Sequence, residues 1–143
     1  MIRSRHVAAA LVVSVGWIGQ VAAHQAAAGK LVAPIYGEAK IEITKPATKV
    51  VGTEIVTTIL VKNVEALPIA GLQVDEYWYD AAGQPLGGGK YRHSKPLLPG
   101  EVIMVTLRTT RTAKHSRNQV GFAHAHGAIK KTIVPKLVVT TAP

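Results

Sequence analysis

The chain of 143 residues contains no cysteine. That absence excludes disulfide staples, thiol nucleophiles, iron–sulfur clusters, cysteine-based zinc sites and an N-terminal lipid-modified cysteine. Aromatic residues are scarce at 5%, with one phenylalanine, two tryptophans and four tyrosines. Only Met104 remains as a methionine after the start residue, so no methionine-rich metal motif exists. Catalytic signatures are lacking too: there is no Gly-x-Ser-x-Gly elbow, phosphate-binding loop or His-Glu-x-x-His pair. Ser94 and Ser116 follow His93 and His115 directly, but adjacency along the chain does not make a triad. Asp75, Glu76 and Asp80 are close in sequence, yet Asp75 and Glu76 point to opposite sides of a strand and Asp80 suits a turn. The expectation is that the protein is not an enzyme.

The N-terminus has the pattern of a secretory signal peptide. Arg3, Arg5 and His6 precede an apolar run from Val7 to Ile18, and Val21-Ala22-Ala23 offers small residues for cleavage. The apolar run is short for a membrane span. Cleavage is expected after Ala23, with Ala28 as an alternative, and retention as a signal anchor stays open. Residues 1–23 are therefore read as a signal-peptide helix and residues 24–39 as a linker or loosely ordered arm. Residues 40–138 form the folded domain and 139–143 a tail. Export to a periplasm or the cell exterior follows, without a membrane span after cleavage. The mature chain of about 120 residues is one domain by size.

Charge is uneven. From Gly88 onward ten lysines or arginines face one acid, Glu101, whereas His24 to Gly87 has five lysines and seven acids. Such asymmetry suits attraction to an anionic polymer or surface, and it equally serves as solubility charge on exposed strands. Nucleic acid is not expected, because the basic half offers only Tyr91 and Phe122 for base stacking.

After the signal the pattern is β throughout. Lys40 to Thr44 alternates and stops at Lys45-Pro46; Thr53 to Asn63 is a long β-branched run. Leu72 to Asp80 places Leu72, Val74 and Trp78 on one face and Gln73, Asp75, Tyr77 and Tyr79 on the other. Asp80 to Gly83 and Pro96 to Gly100 read as turns, and Gly87-Gly88-Gly89 as an edge or bulge. Glu101 to Thr110 alternates with Ile103, Val105 and Leu107 inward. Thr112 to Asn118 is a polar, basic loop. Val120 to His126 and Ala128 to Leu137 form a final hairpin at Gly127, with Pro135 confined to an edge or bulge. Six to seven short strands predict an all-β antiparallel sandwich.

Four elements in order carry a family resemblance: Val61-Lys62-Asn63, Pro68-Ile69-x-Gly71, Tyr77-Trp78-Tyr79-Asp80-x-x-Gly83 and Leu98-Pro99-Gly100-Glu101. From about Gly52 to Thr110 the chain resembles the FxLYD-type domain of bacterial exported proteins. The resemblance implies an immunoglobulin-like sandwich in an envelope or secreted protein of unassigned function. Glu76 departs from the pattern, standing where the family has phenylalanine, and Trp78 takes the leucine place. An acid on the inward face implies either a shifted strand register or an open sheet edge.

Two binding surfaces follow. Tyr77, Tyr79 and Tyr91 are candidate contact residues, since tyrosine combines contact area with a polar tip; the same residues also suit ordinary sheet packing. The expected role is binding or assembly with an envelope protein or anionic envelope polymer, without a cofactor. The alternative is a periplasmic copper-binding protein. An N-terminal His24 would offer its amine and ring, completed by His124 or His126, whose spacing puts both on one strand face. His93 and His115 are further candidates. The oligomeric state is left open, including pairing through a sheet edge.

Overall fold

In the computed structural model, which describes residues 32–140, nine strands and no helix are present among the described residues. They are β1 (Ala39–Thr44), β2 (Ala47–Val51), β3 (Glu54–Asn63), β4 (Gln73–Tyr79), β5 (Pro85–Gly87), β6 (Lys90–Arg92), β7 (Val102–Thr110), β8 (Arg117–His124) and β9 (Gly127–Val134). Seven exceed three residues, as expected; β5 and β6 are short pieces either side of Gly88-Gly89. The signal peptide and its helix lie outside the described residues.

One sheet curls over on itself into two facing layers. β7 pairs antiparallel along one edge of β3, from Glu54↔Thr110 to Lys62↔Val102. The opposite edge of β3 is shared end to end by β2 and β1. The break between them falls at Pro46, which has no N–H to give a ladder; there the Thr44 hydroxyl accepts from the Leu60 amide at 3.0 Å. In the second layer β4 pairs with β8 over seven residues and with β5 and β6 on its other side. β9 joins the layers. It leaves β8 after two pairs, Ala123↔Ala128 and His124↔Gly127, and then runs parallel to β1 from Ala39↔Ile129 to Thr44↔Val134. The sandwich is thus antiparallel except for this closing pair. Neighbours β1–β3–β7 and β4–β8–β9 reproduce the A–B–E and C–F–G orders of an immunoglobulin-type sandwich.

Strand alternation builds the core. Ile41, Ile43, Ile59, Val61, Val105 and Leu107 from the first layer meet Leu72, Val74 and Val120 from the second. Each fully buried branched side chain contributes about 1.5–3 kcal/mol by leaving water. On β4 the inward residues are Val74, Glu76 and Trp78, all buried, so the expected register holds. The two explanations expected for Glu76 are both corrected: it sits neither on a shifted strand nor at an open edge. Glu76 is 2% exposed and its carboxylate bridges the layers. Oε1 accepts from the Thr57 hydroxyl and from Asn118 Nδ2 at 2.9 Å, and Oε2 accepts from the Thr109 hydroxyl at 3.1 Å. Donors from β3, β7 and β8 replace the lost water, which makes the burial tolerable.

Gly88 and Gly89 pass through a gap too narrow for a side chain. A Cβ on Gly88 would lie 1.7 Å from the Glu76 carbonyl oxygen, and one on Gly89 2.9 Å from the Arg108 backbone. The glycines let the chain between β5 and β6 press against both β4 and β7, where the Glu76 amide donates to the Gly89 carbonyl at 2.8 Å.

At one end of the sandwich the turn motifs meet on Asn63, which is fully buried. Its Nδ2 donates to the carbonyls of Leu67 and Leu97, both at 2.9 Å, and its Oδ1 accepts from the Glu65 amide at 2.8 Å. Its backbone bonds Gly100 and Glu101, while Ile69 and Leu97 exchange two backbone bonds beside it. The Leu98–Glu101 turn has Pro99 followed by Gly100 at φ 75°, which suits a type II turn. Its Glu101 carboxylate accepts from the Leu98 amide at 2.7 Å.

Two boundaries are corrected. Residues 35–39 are not a loose arm: Ile35 packs on the core, its amide donates to the Pro68 carbonyl, Gly37 donates to His126, and Ala39 is a buried β1 residue. Thr140, assigned to the tail, is tied back to Val102, whose amide donates to its hydroxyl at 2.7 Å.

Candidate functional site

Cross-strand register decides which tyrosines share a surface, because directly paired residues point to the same side of a sheet. Tyr77 pairs with Gln119 and Tyr79 with Arg117, all on the outward face of β4 and β8. Tyr91 pairs with Val74, a buried inward residue, and packs against the core. The expected trio is therefore corrected to a pair, since Tyr91 lies on the other side of the sheet. Its hydroxyl meets His93 Nδ1 at 3.0 Å. Burial, and secondarily the charge of Glu101, raises the Tyr91 phenol above its ordinary value.

The outward face is built around Tyr77, which is 48% exposed. Next to it Gly121 has no side chain; a Cβ there would be in ordinary contact with the Tyr77 ring at 3.7 Å. The ring therefore lies across the bare glycine strand, a known way of covering a sheet glycine. Arg117 sits over the Tyr79 ring, 5.7 Å from its centre, a weak cation–π contact at an exposed site. Lys90 and Arg92, opposite Asp75 and Gln73, extend this face across β6. Asp75 is its acid, and its Oδ2 accepts from Gln73 Nε2 at 2.6 Å. Three cations against one acid make a basic platform with two aromatic rings.

The copper alternative rests on His24, which lies outside the described residues, with His124 or His126. His124 is buried, and its Nε2 meets the Gly37 carbonyl at 2.7 Å. A carbonyl only accepts, so Nε2 carries the hydrogen, and Nδ1 faces the His126 amide at 3.4 Å. Both ring nitrogens are directed at the backbone. His126 lies in the turn after β8, stacked on Tyr36 with ring centres 4.2 Å apart. The expected pairing of His124 and His126 on one strand face is thus corrected: β8 ends at His124, and the rings meet edge to face 6.5 Å apart. Among the described residues no three histidine, aspartate or glutamate side chains form a metal-ligand group. Asp75, Glu76 and Asp80 also stay apart. Asp80 shapes its turn, accepting from the Gln84 amide at 2.8 Å through Oδ1.

The end of the sandwich opposite Asn63 holds a cleft of about 390 Å³. Its walls come from the edge strand β2 and the loop after β7, with Trp78 and Ile55 among its lining residues. Trp78 and His115 meet edge to face, ring centres 5.2 Å apart. His115 Nδ1 accepts from the Thr112 amide at 3.0 Å. Trp78 was read from sequence as a core residue and 112–118 as a basic loop. What joins them is the return of the loop onto the end of β4, where the Ser116 amide donates to the Tyr79 carbonyl at 2.9 Å. No spacing rule in the sequence announces that contact.

No family model and no curated protein matches the chain. Among solved structures it is similar to IrmA from Escherichia coli, with a TM-score of 0.44 and 12% identity over 72% of this chain and 99% of that one. A likeness that distant bears on neither ligand nor partner.

Proposed function

We propose that the protein is an exported, non-enzymatic envelope protein that binds or assembles through the outward face of β4, β6 and β8. The observation that supports this reading is the uncovered platform of Tyr77 and Tyr79, surrounded by Lys90, Arg92 and Arg117. Export rests on the N-terminal pattern of Arg3, Arg5 and the apolar run to Ile18. The FxLYD-type resemblance is in keeping with an envelope setting. The partner of choice is an anionic envelope polymer. Charge draws it to the face, and the rings supply contact area at small entropic cost, since tyrosine has few rotatable bonds. Attraction of this kind weakens as salt rises.

The test is retention of the protein on isolated envelope fractions. Binding at low salt that is released at high salt supports the proposal, as does reduced retention of Tyr77→Ala. Absence of retention at low salt contradicts it. Retention that survives removal of the envelope polymers but not protease treatment identifies an envelope protein as the partner instead.

A further inference from the structure

The cleft at the Trp78 end carries two polar groups that the fold itself does not use. Trp78 is 7% exposed, and its Nε1–H has no hydrogen-bond partner among the described residues. His115 Nε2 is buried and likewise without one. Its other nitrogen, Nδ1, is held by Thr112, 3.0 Å from the amide and 3.2 Å from the carbonyl. The Trp78 N–H donor and His115 Nε2 belong to touching rings that line one cleft. Leaving a buried donor unmade is unfavourable, and a bound acceptor would relieve it.

The charge around them has one sign. Lys49 and Arg111 line the cleft, and no acid does. Arg108 is paired with Glu54 at 2.9 Å, whereas the Arg111 guanidinium has no salt bridge among the described residues. Val50, Ile55 and the Trp78 ring give the cleft an apolar side, and the hydroxyl residues Thr48, Thr112 and Ser116 also line it. Val50, on the edge strand β2, is 54% exposed. The volume falls in the range of small-ligand sites, about 300–1,000 Å³.

We infer that this cleft binds a small carboxylate with an apolar or aromatic body. The carboxylate would accept from Trp78 Nε1–H beside the Arg111 guanidinium, whose fork suits a planar carboxylate. The body would lie against Val50 and Ile55. The site is separate from the outward tyrosine face, and its occupancy does not depend on the envelope role.

The experiment is a titration of the full chain, labelled with ¹⁵N, with sodium benzoate at constant ionic strength. The readout is the indole N–H resonance of Trp78, told apart from that of Trp17 with a Trp17→Phe variant. Benzoate should move this resonance saturably, while neutral benzamide and inorganic phosphate should leave it in place. Arg111→Gln, an exposed change that leaves the fold intact, should weaken benzoate about tenfold through loss of a charged donor. No movement with benzoate overturns the inference. So does an equal response to benzamide or phosphate, or an affinity unchanged by Arg111→Gln.

Discussion

The two ends of this sandwich are built on opposite principles. At the Asn63 end one buried amide holds two connections together, and a proline–glycine turn closes over it. At the Trp78 end the Trp78 N–H and a His115 ring nitrogen find no partner among the described residues, a strand edge stays open, and the loop from Thr112 to Asn118 is short of acids. The Asn63 end is a latch for the fold. The Trp78 end, together with the tyrosine face that runs up to it along β4, keeps its chemistry for something else.

Substitutions can break or sharpen that contrast. The largest effect is expected for Gly88→Ala, which drives a methyl into the Glu76 carbonyl oxygen and should lower stability by about 3 kcal/mol or more, read as a fall in the urea midpoint. Asn63→Ala comes next. It strands the Leu67 and Leu97 carbonyls and should cost about 3 kcal/mol, with the loss visible as early hydrogen exchange in the two connections it holds. Trp78→Phe should cost about 1 kcal/mol, because it sheds some packing but no hydrogen bond. A loss as large as that of Asn63→Ala would mean that the indole N–H is bonded within the fold. The smallest effect concerns Tyr91. Its raised phenol keeps its proton in the folded state after the unfolded chain has released one, so its contribution is fully present below pH 10 and declines as pH rises from there through the raised value. Tyr91→Phe should flatten that part of the pH profile of the urea midpoint.

Much of the latch was legible in the sequence and little of the open end was. Turn chemistry is local: Pro99 before Gly100 declares itself within four residues. Strand alternation likewise placed Val74, Trp78, Val105 and Leu107 inward. Glu76 looked like an error in that pattern because its three partners, Thr57, Thr109 and Asn118, come from three other strands. The misplacement of Tyr91 has a similar cause, since the face it occupies depends on pairing with Val74 across the glycine bulge. The contact of His124 with the carbonyl of residue 37 was equally hidden, since it forms only when the segment before β1 packs down. The Trp78–His115 cleft joins a strand end to a loop more than thirty positions away, and no periodicity reports such a meeting.

The central claim is that recognition belongs to the Trp78 side and fold maintenance to the Asn63 side. It is tested most directly by comparing retention on envelope fractions at low salt for the wild type, Tyr77→Ala and Leu98→Ala. Both substituted residues are exposed, at 48% and 55%, but Leu98 lies in the turn beside Asn63. The account predicts that Tyr77→Ala loses most of the retained protein while Leu98→Ala binds as the wild type does. Loss with Leu98→Ala and full retention with Tyr77→Ala would contradict it.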